Sequence, residues 1–128
     1  MVIIQGQVPS KSNSYKIGHN RLYKSKELVE YENRFRWLLA LANGKPSEPI
    51  NYKFAIEIFV YFQSNRSDLD NSAKIILDCL QNCNVIENDR LCHKLIMHKF
   101  IDKDNPRIEF EITKIGEIKN LNSSRMFL

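Results

Sequence analysis

The sequence predicts a small α/β fold: a mixed β-sheet carrying two main helices, in the order β-α-β-α-β-β. Three observations carry this. "FAIEIFVYF" (54–62) is an apolar run of strand length, bounded by polar segments. Two segments, 26–43 and 71–82, repeat their apolar residues at helical spacing. "RIEFEIT" (107–113) alternates apolar and polar residues with a period of two. A chain of 128 residues can build one core. Residues 1–128 are therefore expected to form a single domain, with 114–128 either loose or docked on a partner.

Val2 to Val8 is short and rich in β-branched residues, so it reads as a strand ending at Pro9. "SKSNSYKIGHNRLYK" is dense in turn residues and reads as a loop or hairpin. Ser25 is a suitable N-cap for the first helix and Gly44 its stop. Leu28, Tyr31, Phe35, Leu38 and Ala42 should form the buried stripe of that helix, and Trp37 is expected to pack. The strand from Lys53 to Phe62 is apolar on both faces, which predicts a central strand covered on each side. The second helix should begin near Asn71, with Ala73, Ile76, Leu77 and Leu80 facing inward. Strands from Leu91 to Ile101 and from Arg107 to Thr113 complete the set.

Composition narrows the classes. The chain is 43% hydrophobic and 27% charged, as in ordinary globular proteins. No stretch approaches the roughly 18 apolar residues of a membrane span. The N-terminus lacks the basic region and cleavage site of a signal peptide, so a cytoplasmic location is expected. Three cysteines, Cys79, Cys83 and Cys92, make no disulfide framework or zinc-finger spacing, and reduced thiols are expected. His93 and His98 fall on opposite strand faces by parity. There is no glycine-rich phosphate loop, hence no implied nucleotide cofactor. The formal net charge is +4, and its distribution is uneven. Between Met1 and Lys26 lie five basic residues (Lys11, Lys16, Arg21, Lys24, Lys26), two tyrosines and no acid. This is either a solvated loop or an arm that contacts phosphates.

The stretch "SDLDNSAK" (67–74) raises the chemical question. Asp68 and Asp70 are two apart, and on an extended approach to the helix both would point the same way. Lys74 and Asp78 follow at helical spacing. Capping accounts for Asp70 and, by an i,i+4 pair, for Lys74. It leaves Asp68 and the later cluster Glu87 and Asp89 unexplained. The other reading is a divalent-cation site, since hard cations such as Mg²⁺ and Mn²⁺ prefer carboxylate oxygens and remove the repulsion between them. Such a site beside a basic surface suits phosphodiester hydrolysis.

"DLDNSAKIILDCL" followed by "NVIENDRL" resembles the signature of the RusA family of Holliday junction resolvases. "GQVPSKSNSY" is similar to that family's opening segment, and "RLYKSKELVEYENRFRW" to its approach to the first helix. The resemblance runs from about Val2 to Thr113. It implies that Asp68, Asp70 and Asp89 bind the metal, Mg²⁺ or possibly Mn²⁺, and act in catalysis with Lys74. Asn71 and Asp78 would support the site. Where the family commonly has Asp-Asp, this chain has Asn88-Asp89, so Asp89 is the expected ligand. The implied partners are branched DNA and a second copy of the chain, because a two-fold homodimer offers two sites for two equivalent strands. Lys11, Asn13, Lys16, Arg21 and Lys24 are the expected DNA contacts. A resolvase of this kind suits phage or prophage DNA processing. The competing readings are a non-catalytic nucleic-acid-binding protein of the same fold and a less structure-selective metal-dependent nuclease.

Overall fold

The computed structural model describes residues 1–116. Along these the chain forms β1 (Val2–Gln5), β2 (Tyr15–Gly18), β3 (Arg21–Lys24), α1 (Lys26–Leu41), β4 (Phe54–Phe62), α2 (Leu69–Asn82), β5 (Cys92–Ile101) and β6 (Arg107–Lys114). Short 3₁₀ turns occupy Lys11–Asn13 and Asp89–Leu91. The expected α/β class and mixed sheet are present, with strand order β1-β6-β4-β5. β4 pairs with β5 in parallel and with β6 in antiparallel fashion. The segment read as loop or hairpin supplies two further strands, which pair only with each other.

Alternation along β4 decides the layering. Phe54, Ile56, Ile58, Val60 and Phe62 are buried against both helices in one core. The opposite face was expected to be covered as well and is not: Ala55, Glu57, Phe59 and Tyr61 are only half-buried. In place of a helix, in-sheet neighbours cover them. Phe59 stacks on His98 with ring centroids 4.5 Å apart, Tyr61 stacks on Phe100 at 4.8 Å, and the Arg107 guanidinium lies 3.7 Å over the Tyr61 ring. A mixed sheet with antiparallel strands tolerates one such wet face.

Several boundaries differ from the expectation. β1 stops at Gln5 because Gly6, at φ +119°, turns the chain, although Val8 remains in the core. Ser25 caps α1 by accepting the Leu28 amide at 3.1 Å. That helix ends at Leu41, and Asn43 takes the left-handed position (φ 54°) ahead of Gly44, whose amide reaches back to the Leu39 carbonyl at 3.0 Å. The buried stripe is Leu28, Tyr31, Phe35 and Leu39, with Ala42 exposed and Leu38 half-buried. Trp37, expected to pack, is 71% exposed, because its position falls on the side of the helix away from that stripe. α2 begins at Leu69, two residues early, and buries Ser72, Ile75, Ile76, Cys79 and Leu80, while Ala73 and Leu77 are half-buried. Burial pushes the Cys79 thiol up to about 12. Lys114 and Ile115 were placed in the C-terminal tail. Lys114 is the last residue of β6, and the Ile115 amide donates to the Lys53 carbonyl at 2.9 Å; residues 117–128 lie outside the described residues. No helix among the described residues is long and apolar enough to cross a membrane.

Tyr31 is the one buried side-chain polar group without a hydrogen-bond partner among the described residues. Its hydroxyl loses water and gains nothing, and burial raises its pKa well above the ordinary value. Tyr31→Phe should therefore stabilise the fold by about 1 kcal/mol, read as a higher denaturant midpoint at unchanged slope. A lower midpoint would show that the hydroxyl is satisfied in solution.

Candidate active site

The loop between β4 and α2 lies at the C-terminal end of the central strand, and three side chains from elsewhere fix it. Lys99 of β5 donates to the carbonyls of Asn65 (3.1 Å) and Ser67 (2.6 Å). Gln7 accepts the Gln63 amide at 2.9 Å and donates to the Ser67 hydroxyl at 3.4 Å. Asn71, in the first turn of α2, donates to the Pro9 carbonyl at 3.1 Å and so ties the helix start to the basic arm. Lys99 and Gln7 escaped the sequence reading, since a strand lysine and a loop glutamine carry no local signal of long-range contact.

Asp68 is the N-cap residue of α2 by position, yet its side chain makes no capping hydrogen bond. Its backbone carbonyl accepts the Ser72 hydroxyl at 3.1 Å. Because α2 begins early, Asp70 sits in the first helical turn and not on an extended approach. Its carboxylate accepts only the adjacent Asn71 amide, at 2.9 Å. Lys74 does not pair with Asp70. It lies 3.8 Å from Asp78, one turn further on, in a solvent-exposed and hence weak pair. The capping explanation of these acids therefore loses its hydrogen bond at Asp68 and its ion pair at Asp70. Both carboxylates are exposed at the positive end of a helix, where negative charge is favoured.

A cleft of about 380 Å³ joins this loop to the arm, lined by Ser10, Lys11, Ser12, Arg66, Ser67, Asp68 and Asn71. Lys11 and an acid of the motif thus share one surface. Arg66, also unremarked in the sequence, belongs to it. Asn13 closes the 3₁₀ turn, and its carbonyl accepts the buried Ser25 hydroxyl. Lys16 and Arg21 stand on the exposed β2–β3 hairpin. Lys24 is held by Glu32 at 2.9 Å, and that hydrogen bond raises its pKa.

Asp89 is elsewhere. Its amide donates to Gln81 at 3.0 Å, near the C-terminal end of α2. Gln81 stands eleven residues beyond Asp70 on α2, about 17 Å along the axis at 1.5 Å per residue. Accordingly, no cluster of three metal-binding side chains occurs among the described residues. Asn88 accepts the Arg90 amide at 2.9 Å and caps the 3₁₀ turn, which leaves Asp89 as the exposed carboxylate of this pair.

On this α/β scaffold exposed carboxylates stand beside a cationic arm, an arrangement compatible with a polyanionic substrate. The family comparison agrees: a model of endodeoxyribonuclease RusA matches residues 6–113, and the chain belongs to the RusA family. Membership places it among DNA endonucleases. No curated protein matches the chain.

Asp68→Ala should cost less than about 0.5 kcal/mol without divalent cations, below the roughly 1 kcal/mol of a true capping residue. Chemical denaturation in EDTA checks this; a full cap-sized loss would return Asp68 to a structural role.

Proposed function

We propose that this chain is a metal-dependent, structure-specific endodeoxyribonuclease that resolves four-way DNA junctions by paired phosphodiester cuts. The observation that carries the reading is the pair of exposed carboxylates Asp68 and Asp70 at the start of α2, with Asp68 lining a cleft shared with Lys11 and Arg66. Carboxylate oxygens of exposed aspartates are the donor set that Mg²⁺ or Mn²⁺ prefers, so the residues fit such an ion. A divalent cation held there makes an attacking water more acidic and offsets charge on the scissile phosphate. Lys74, loosely paired and exposed, can swing toward the phosphate and stabilise charge that builds on it. Asn71 holds the helix start against the arm, so that the phosphates gripped by Lys11 and Lys16 are presented to the carboxylates.

Asp89 enters through a second copy. In a two-fold dimer with antiparallel α2 helices, Asp89 of each protomer meets Asp68 and Asp70 of the other. The separation within one chain, about one helix length, is then the spacing between two composite sites. Each site cuts one of two equivalent strands. Recognition is by branched shape and phosphate contacts.

Cleavage of a synthetic four-way junction beside a linear duplex, in Mg²⁺ or EDTA, tests the reading. Symmetric nicks in the junction alone, dependent on metal and lost in Asp70→Asn, are expected. Junction binding without cutting in either Mg²⁺ or Mn²⁺ would sink the enzymatic reading. The composite site makes a second prediction. Asp70→Asn and Asp89→Asn are each inactive, and mixing them restores nicking, because the mixed dimer contains one intact site. Mixtures as inactive as the separate variants would place Asp89 outside the partner's site.

A further inference from the structure

The β2–β3 hairpin carries side chains that the core does not use. Its pairing sets Tyr15 opposite Lys24, Lys16 opposite Tyr23, Ile17 opposite Leu22 and Gly18 opposite Arg21. Successive strand residues point to opposite faces. One face of the ribbon therefore holds Ile17 and Leu22, and the other holds Lys16, Arg21 and Tyr23. Tyr15 packs against the core at the root. Ile17 and Leu22, further out, are 81% and 64% exposed.

The turn and the root of the ribbon have defined geometry. His19 and Asn20 at its tip both have positive φ, 52° and 60°, as the mirror-image turn of a two-residue hairpin requires. Tyr23 lies so close to Gly18 that a β-carbon there would come within 3.0 Å of its ring. At the root, buried Ser14 donates to the Ser10 carbonyl at 2.6 Å, and the Ser25 amide donates to the Ser14 carbonyl at 2.8 Å.

We propose that this hairpin is a wedge for branched DNA. Ile17 and Leu22 enter the branch point and pack on a base pair exposed there, while Lys16 and Arg21 hold the flanking phosphates. The inference rests on the junction reading above. Charge complementarity selects DNA as the occupant: the aliphatic pair sits in a segment with five cations and no acid. Isoleucine and leucine are among the side chains that DNA-bending proteins insert between base steps. In an intact duplex that insertion must first break a stack. At a branch, stacking is already interrupted, so the wedge prefers the junction. Cations alone grip either DNA equally.

The test uses four-way junctions with 2-aminopurine at the branch point or in an arm, titrated in EDTA so that no strand is cut. Binding of the unaltered protein should raise branch-point emission and leave the arm signal unchanged. The double variant Ile17→Thr/Leu22→Thr places β-branched, strand-favouring threonine at both positions, so the hairpin should persist. It should lose the emission rise and on the order of tenfold in junction affinity, the scale of one aliphatic side chain no longer buried, with duplex affinity unchanged. Lys16→Ala should weaken both affinities alike and flatten the salt slope by about one unit. A double variant with the full emission rise and junction preference overturns the wedge, even where junction cleavage stands. One that keeps that preference but loses self-association gives the pair to a second copy, and also overturns it. Unaltered protein that binds junction and duplex equally sinks the wedge and the junction reading together.

Discussion

Parallel pairing of β4 with β5 is the constraint from which the rest of the molecule follows. Two adjacent parallel strands cannot be joined by a tight turn; the chain must cross back over the sheet. Here the crossing is α2, which buries Ile75, Ile76, Cys79 and Leu80 on the face of β4 that also receives α1. The return path fixes the chemistry. The loop before α2 falls at the C-terminal end of β4, where open α/β sheets place their ligands. The loop after it falls at the start of β5, a helix length away. Asp68 and Asp70 are therefore set apart from Asp89 by topology, and no change of side-chain rotamer can unite them in one chain. A catalytic set that uses all three has to be assembled between copies.

The sheet's one-sided covering has a similar origin. Both helices are spent on the face defined by Ile56, Ile58 and Val60. The other face compensates locally, with Phe59 on His98, Tyr61 on Phe100 and Arg107 on Tyr61. Glu57 completes this surface by meeting His98 Nε2 at 2.7 Å. Aromatic rings stacked along the strands cover one another's faces and hold the β4–β5–β6 register without a third layer.

Much of this was legible in the sequence, and the failures have physical reasons. The class, the two helices, the Ser25 cap and the long strands come from periodicity and capping chemistry, which are local. What failed was tertiary. The apolar character of Phe59 and Tyr61 suggested a second covering layer, because composition cannot distinguish a ring packed under a helix from one stacked on its neighbour. Trp37 suggested packing by its size, but its position lies off the Leu28–Tyr31–Phe35–Leu39 stripe. "KIGHNRLY" alternates too weakly to separate hairpin from loop; the hairpin's determinants are the two positive-φ residues of the turn, His19 and Asn20. At the candidate site, spacing drew attention to Asp68, Asp70 and Lys74, and the family resemblance added Asn71. The residues that hold their loop, Gln7 and Lys99, are 61 and 31 positions from Asp68 in the chain and become visible only when the sheet is built.

Local rules are kept through most of this chain and broken in two places. Neither Asp68 nor Asp70 takes part in an ion pair among the described residues, though like charges this close repel and cations are abundant nearby. Ile17 and Leu22 face water on a hairpin that could have carried polar residues at no structural cost. Features of this sort are expected where a surface is shaped for something outside it. The two sites are also joined. The arm that ends in the hairpin passes Pro9, whose carbonyl takes the Asn71 side chain, directly beside the carboxylates. A substrate with phosphates against the arm and an open branch at the hairpin would meet both exceptions at once. The acids alone would repel that substrate, and the aliphatic pair alone would ignore its charge. Side by side on a cationic segment, each supplies what the other lacks.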